Sequence, residues 1–196
     1  NRESVTNLLQ MLSLVHALEH RTCVYFYQMS DTSPSSGVNI RILTCRYGRI
    51  DRWCHENLSA PYWRVYWNAE PGWTIRSAGA VTPLGPAVVA VIAPNTPFAA
   101  ESRAPARHFY AHFVAARPYD SVAPAVYGAP CDEWRGGVVE ELAGFAARGE
   151  TRSGRGSVLA NLVCYEALRI VPTADVPHRP YSPRINHAVA VMETGI

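Results

Sequence analysis

The residue types able to do acid–base or metal chemistry are scattered, and few fall at a productive spacing. His108, Tyr110 and His112 alternate with Phe109, Ala111 and Phe113. On a strand this puts the two histidines and the tyrosine on one face and the apolar residues on the other. Phe109 and Phe113 suit packing. His108 and His112 are then candidates to line the mouth of a pocket as hydrogen-bond partners, with a purely structural role as the alternative. As joint metal ligands they are poor, because four residues of extended chain separate them by about 13 Å. Cys45, Cys54 and His55 lack a fourth zinc ligand, so thiols buried in a core are the better reading. Seven histidines allow Ser/His/Asp sets to be assembled on paper, yet there is no Gly-x-Ser-x-Gly elbow. Arg152-Ser153-Gly154-Arg155-Gly156 lacks the lysine and the preceding strand of a phosphate loop and reads as a solvated turn. Glu140 and Glu141 read as exposed helix charges. No catalytic residue, cofactor or metal is assigned.

These residues must be positioned by the surrounding elements. Val5, Leu8, Leu9, Leu12, Val15 and Leu18 fall at helical spacing, with Ser4 as N-cap. From Thr22 to Phe113 the chain breaks into short β-rich runs: Cys23–Tyr27, Val38–Tyr47, Tyr62–Trp67, Trp73–Arg76, Val88–Ile92 and His108–Val114. Pro118 to Pro130 reads as a connector without periodicity. Two helices are predicted next, over Val138–Arg148 and Ser157–Ile170, joined by a turn at Gly149–Gly156. A proline-rich joint, Pro172 to Pro183, leads into a truncated helical pattern over Arg184–Met192. Val158, Leu159, Leu162 and Val163 form an apolar stripe on the second helix, wide enough to pack on the β body and also meet a partner chain, with packing against the first helix alone as the alternative.

Composition fits one globular domain. Of 196 residues, 48% are hydrophobic and 17% charged, enough apolar material for a core. No apolar run approaches the about 20 residues of a membrane span. Residues 2–20 have no signal-peptide core, and a net charge of +2 is too small for nucleic-acid binding by charge alone. All 18 basic residues are arginine, which reads as GC-rich coding. Five cysteines without CxxC spacing suit a reducing, cytoplasmic setting. The chain opens on Asn1 and stops at Ile196 within a helical pattern, as expected of part of a longer protein.

The stretch from Tyr62 to Tyr119 carries a more specific signal. A strand (Tyr62–Trp67) turns at Glu70-Pro71-Gly72 into Trp73–Arg76, and a second turn follows at Ser77-Ala78-Gly79. Leu84-Gly85-Pro86-Ala87 then precedes the apolar run Val88–Ile92. Ala93-Pro94-Asn95-Thr96-Pro97-Phe98 comes next, and the aromatic strand His108–Phe113 follows it. This order resembles the cupin-type sensor domain of AraC-family transcription regulators, with Ala87 and Phe98 standing where that pattern has glycine and histidine.

The resemblance implies a mainly β fold, a cupin-like double-stranded β-barrel followed by a helical pair. After the N-terminal helix (1–21), which rests on its own spacing and is not carried over from the family, it divides the chain into a ligand-binding barrel (22–130), a dimerising helical pair (131–171), and a linker with the start of a helix-turn-helix DNA-binding domain (172–196). Cupin enzymes hold a metal at positions that fall on Ser59, Pro61, Val65 and Phe98, none of which can ligate one. If Val65 occupies an inward slot, Trp63 and Trp67 point inward with it and Phe98 joins them. That gives either an aromatic ligand pocket or a filled core. The expected function is effector sensing and dimerisation in a bacterial, cytoplasmic, non-enzymatic regulator. Its effector would be a sugar or an aromatic metabolite, its partner a second copy of the chain, and its DNA contact the missing C-terminal half. A stand-alone cupin enzyme and a carbohydrate-binding barrel are the alternatives.

Overall fold

A computed structural model describes residues 38–177 and residue 191. The helix expected over residues 5–18, the run Cys23–Tyr27, and the pattern over Arg184–Met192, apart from residue 191, lie outside the described residues. Among the described residues nine strands precede two helices: β1 (Ile40–Ile50), β2 (Cys54–Leu58), β3 (Trp63–Asn68), β4 (Trp73–Ser77), β5 (Ala80–Leu84), β6 (Val88–Ile92), β7 (Phe98–Ser102), β8 (Ala106–Ala115), β9 (Val126–Pro130), α1 (Glu133–Ala147) and α2 (Gly154–Ile170). They form two antiparallel sheets, one of five strands in the order β1-β8-β3-β6-β9 and one of four in the order β2-β7-β4-β5. The fold is therefore mainly β with a following helical pair, as the sequence implied.

Local chemistry explains the joints. β4 and β5 meet through Ala78 (φ +49°) and Gly79 (φ +81°), the left-handed pair that a tight two-residue hairpin requires. At α2 the Ser153 hydroxyl accepts from the Gly156 amide, satisfying one of the orphan donors of the first turn. A Cβ at Gly156 would collide with the Glu150 carbonyl oxygen, so only glycine fits there. The sequence connector Pro118–Pro130 is corrected at its end: Val126–Pro130 is strand β9, paired with β6 from Val88↔Pro130 to Ile92↔Val126. β9 lies at a sheet edge, where prolines are tolerated because no neighbour needs their missing N–H.

At its centre the five-stranded sheet is buried on both faces, and this decides where every side chain of β3 goes. One face meets α1 and α2 through Trp63, Val65, Trp67, Phe109 and Phe113, which pack with Leu142, Leu159 and Val163. The other faces the four-stranded sheet, through Tyr66, Trp73, Ile75, Ile92 and Phe98.

Candidate functional site

Cross-strand register fixes the faces. In the β3–β8 pair Trp63 stands opposite Phe113, Val65 opposite Ala111 and Trp67 opposite Phe109; residues directly opposite share a face. Trp63, Val65 and Trp67 therefore point at the helices, and the expectation that they line the barrel interior is corrected. Their polar atoms are satisfied: the Trp63 indole donates to the Tyr119 carbonyl (3.3 Å) and the Trp67 indole to the Pro86 carbonyl (3.2 Å). They are core residues under the helical pair.

The interior between the sheets is occupied instead by the alternate residues. Arg64, Tyr66 and Asn68 stand opposite His112, Tyr110 and His108, with Phe98, Trp73 and Trp53 around them. Of the residues the sequence singled out, Phe98, His108, Tyr110 and His112 are brought together here. Arg64, Tyr66, Asn68 and Trp53 were missed. The signal available for the first three was an arginine and an asparagine alternating with bulky apolar residues in one strand.

Two subsites differ in chemistry. At one end His108 is 3% exposed; its Nδ1 lies 2.7 Å from Asn68 Oδ1 and its ring stacks on Trp73 at 5.2 Å. Because the amide oxygen can only accept, the His108 proton sits on Nδ1. Burial, reinforced by the His112 charge, pushes the His108 pKa down to about 3, so it is neutral at physiological pH. At the other end Arg64 lies over the rings of Tyr62 (5.1 Å) and Phe98 (4.9 Å). His112 packs between Tyr62 and Tyr110, with ring centroids 4.9 and 5.0 Å away. Burial first and the Arg64 charge second lower its pKa to about 4. Arg64 Nε, Asn68 Nδ2 and His112 Nε2 are buried without a hydrogen-bond partner, and all three face this space. Clustering of such orphans is uncommon in a packed core.

Other sites carry less chemistry. A cleft of about 720 Å³ lies between β1 and the α1–α2 turn, bordered by Cys45, Tyr47, Arg152 and Ala160, but none of the orphaned buried atoms faces it. Among the described residues no three His, Cys, Asp or Glu side chains stand close enough to hold a metal. Cys164 is buried and Cys45 half-buried, with burial raising the Cys45 thiol to about 12. Cys54 is exposed, against the expectation of a buried thiol, because edge strand β2 leaves most of its residues in solvent. The apolar stripe of α2 divides: Leu159 and Val163 are buried in this chain's own core, whereas Val158 is 67% exposed and Leu162 half-buried. Leu159 and Val163 thus take the side of the stripe that packs on this chain's own core, and Val158 and Leu162 the side left toward solvent.

No protein-family model matches the chain, and no curated protein matches it. Among solved structures it is similar to ToxT, an AraC-family regulator. ToxT from Vibrio cholerae O395 aligns over 76% of this chain and 63% of its own, with TM-score 0.44 and 10% identity. Wild-type ToxT of strain SCE256 with an unsaturated fatty acid bound aligns over 76% and 62%, with TM-score 0.46 and 6% identity. The chain spans less than two thirds of the length of these structures. The likeness is remote, and the chemistry of the site rests on this chain's own residues.

Proposed function

We propose that this chain is the effector-binding and dimerisation part of an AraC-type transcription regulator, with the space between its sheets as the effector site. The observation that carries the ligand site is the column of orphaned polar atoms, Arg64 Nε, Asn68 Nδ2 and His112 Nε2, held among aromatic rings between the sheets. Buried polar groups cost stability unless something satisfies them; a ligand that does so binds there at the expense of that cost. The regulator assignment is supported by the motif order from Tyr62 to Tyr119 and by the helical pair that follows the β body.

Binding between the sheets changes transcription only if it reaches the DNA-binding half. A route is available in the start of the linker. The Tyr127 hydroxyl of β9 donates to Asp175, and Val176 packs against the core that the sheet shares with the helices. β9 is hydrogen-bonded to β6, whose Ala90 and Ile92 face the effector space. The exposed face of α2 with Val158 is the proposed dimer contact.

Reading the gene past the codon for Ile196 tests the assignment. About a hundred further residues with two helix-turn-helix patterns are expected, followed by effector-dependent output from a promoter reporter driven by the full protein. A stop codon at once, or a continuation without such patterns, overturns it.

A further inference from the structure

Arg64 is 6% exposed and belongs to a strand in which all six residues are buried. A guanidinium removed from water needs a counter-charge or a set of acceptors. Among the described residues it has no counter-charge: none of their ion pairs includes it. Its Nε has no acceptor. The ring faces of Tyr62 and Phe98 offset only part of the desolvation.

His112 stands opposite Arg64 on β8 with its Nε2 also orphaned, and Asn68 Nδ2 is the third unmatched atom. All three can donate, and the arginine and asparagine atoms can do nothing else. The unmatched buried atoms of this space can therefore all donate, and none of them is an oxygen acceptor. Among the described residues the space holds one positive charge with no acidic partner. A neutral polyol would bring hydroxyls but leave that charge uncompensated. A carboxylate brings two acceptor oxygens in one plane, the shape a guanidinium fork receives best.

We propose that the ligand is an organic carboxylate whose charged group is received by Arg64 and His112, with its apolar body against Tyr66, Tyr110 and Phe98. This rests on the reading of the intersheet space as the effector site. It narrows the ligand from small organic molecules in general to acids, and favours an aromatic or otherwise apolar acid over a sugar.

The test pairs two acids, benzoate and octanoate, with their neutral amides and titrates each into the 196-residue chain. Binding is followed by Trp fluorescence and by NMR of the histidine rings. At least one acid is expected to bind at least tenfold more tightly than its amide. Arg64→Gln should bring the acid to the level of the amide, while Arg64→Lys retains part of the preference. Acid binding should also raise the titration midpoint of His112, because the bound anion cancels the Arg64 charge; an arginine with a merely structural role would not move it. Equal binding of acids and amides with Arg64→Gln unaffected overturns the carboxylate inference and leaves the effector site standing. Failure of all four to bind overturns both. Circular dichroism checks that Arg64→Gln folds. If it does not, His112→Phe keeps a ring against Tyr62 while removing the second donor: weakened acid binding supports the inference, and unchanged binding overturns it.

Discussion

Lowering the pH should loosen this protein well before its carboxylates titrate, and His108 should be the main reason. The ring is buried, stacked on Trp73 and bonded to Asn68, with its pKa held down to about 3 against an ordinary 6.5. The sign follows from linkage. A folded-state pKa below the unfolded one means that the unfolded chain takes up the proton first, so stability is full above about pH 6.5 and falls as the pH drops toward the folded value. Between pH 7.5 and 5.0 the unfolded imidazole becomes almost fully protonated while the folded one does not. At about 1.36 kcal/mol per pKa unit this removes about 2 kcal/mol of stability. His112 acts in the same direction, but its partial exposure screens the effect to under about 1 kcal/mol. The assay is urea unfolding followed by circular dichroism at half-unit pH steps, on the chain and on His108→Gln. The Gln amide can still donate to Asn68, and it does not titrate. The wild-type midpoint should fall steadily through this window, and the variant should lose most of that slope whatever its absolute stability. Equal slopes in the two proteins would refute the claim that His108 is buried neutral.

Two further outcomes separate core from site and interior from surface. Trp63→Ala should cost about 3–5 kcal/mol in denaturant unfolding, since Trp63 is fully buried against Phe113 and beneath the helices; any ligand bound between the sheets should keep its affinity at a temperature where the variant stays folded. Val158→Asp should leave the unfolding midpoint within about 0.5 kcal/mol, because the side chain is 67% exposed, while shifting sedimentation toward the monomer if α2 forms the dimer contact. A dimer unchanged by Val158→Asp rules that face out.

The strands that could be read from the sequence were chiefly the inner ones. β3, β6 and β8 have neighbours on both sides, and their aromatic and β-branched runs reflect it. Three of the four strands that escaped notice, β2, β5 and β9, are sheet edges. Cys54–Leu58 is polar because it is exposed, and Pro83 and Pro130 are allowed in their strands for the same positional reason. β7 escaped because Phe98-Ala99-Ala100-Glu101-Ser102 carries little β preference of its own. Tertiary pairing makes these segments strands, and single-sequence propensity does not contain that information.

The site itself was nearer to legibility, and β3 shows how it was lost. Trp63, Val65 and Trp67 alternate with Arg64, Tyr66 and Asn68. Between two buried faces the drier one takes the purely apolar set, and the face with a reason to be polar takes the arginine and the asparagine. Aligning the strand to a metal-ligand pattern reversed this assignment, because it ranked Val65 by position where its chemistry argued the other way. The helices supply the dry surface, covering Trp63, Val65 and Trp67 with Leu142, Leu159 and Val163. With that face occupied, Arg64 can lie only between the sheets. An arginine there, opposite His112 and in no ion pair among the described residues, is a buried charge that folding alone gives no reason to keep. The ligand-binding reading therefore depends on the same parity argument that moved the tryptophans out of the pocket.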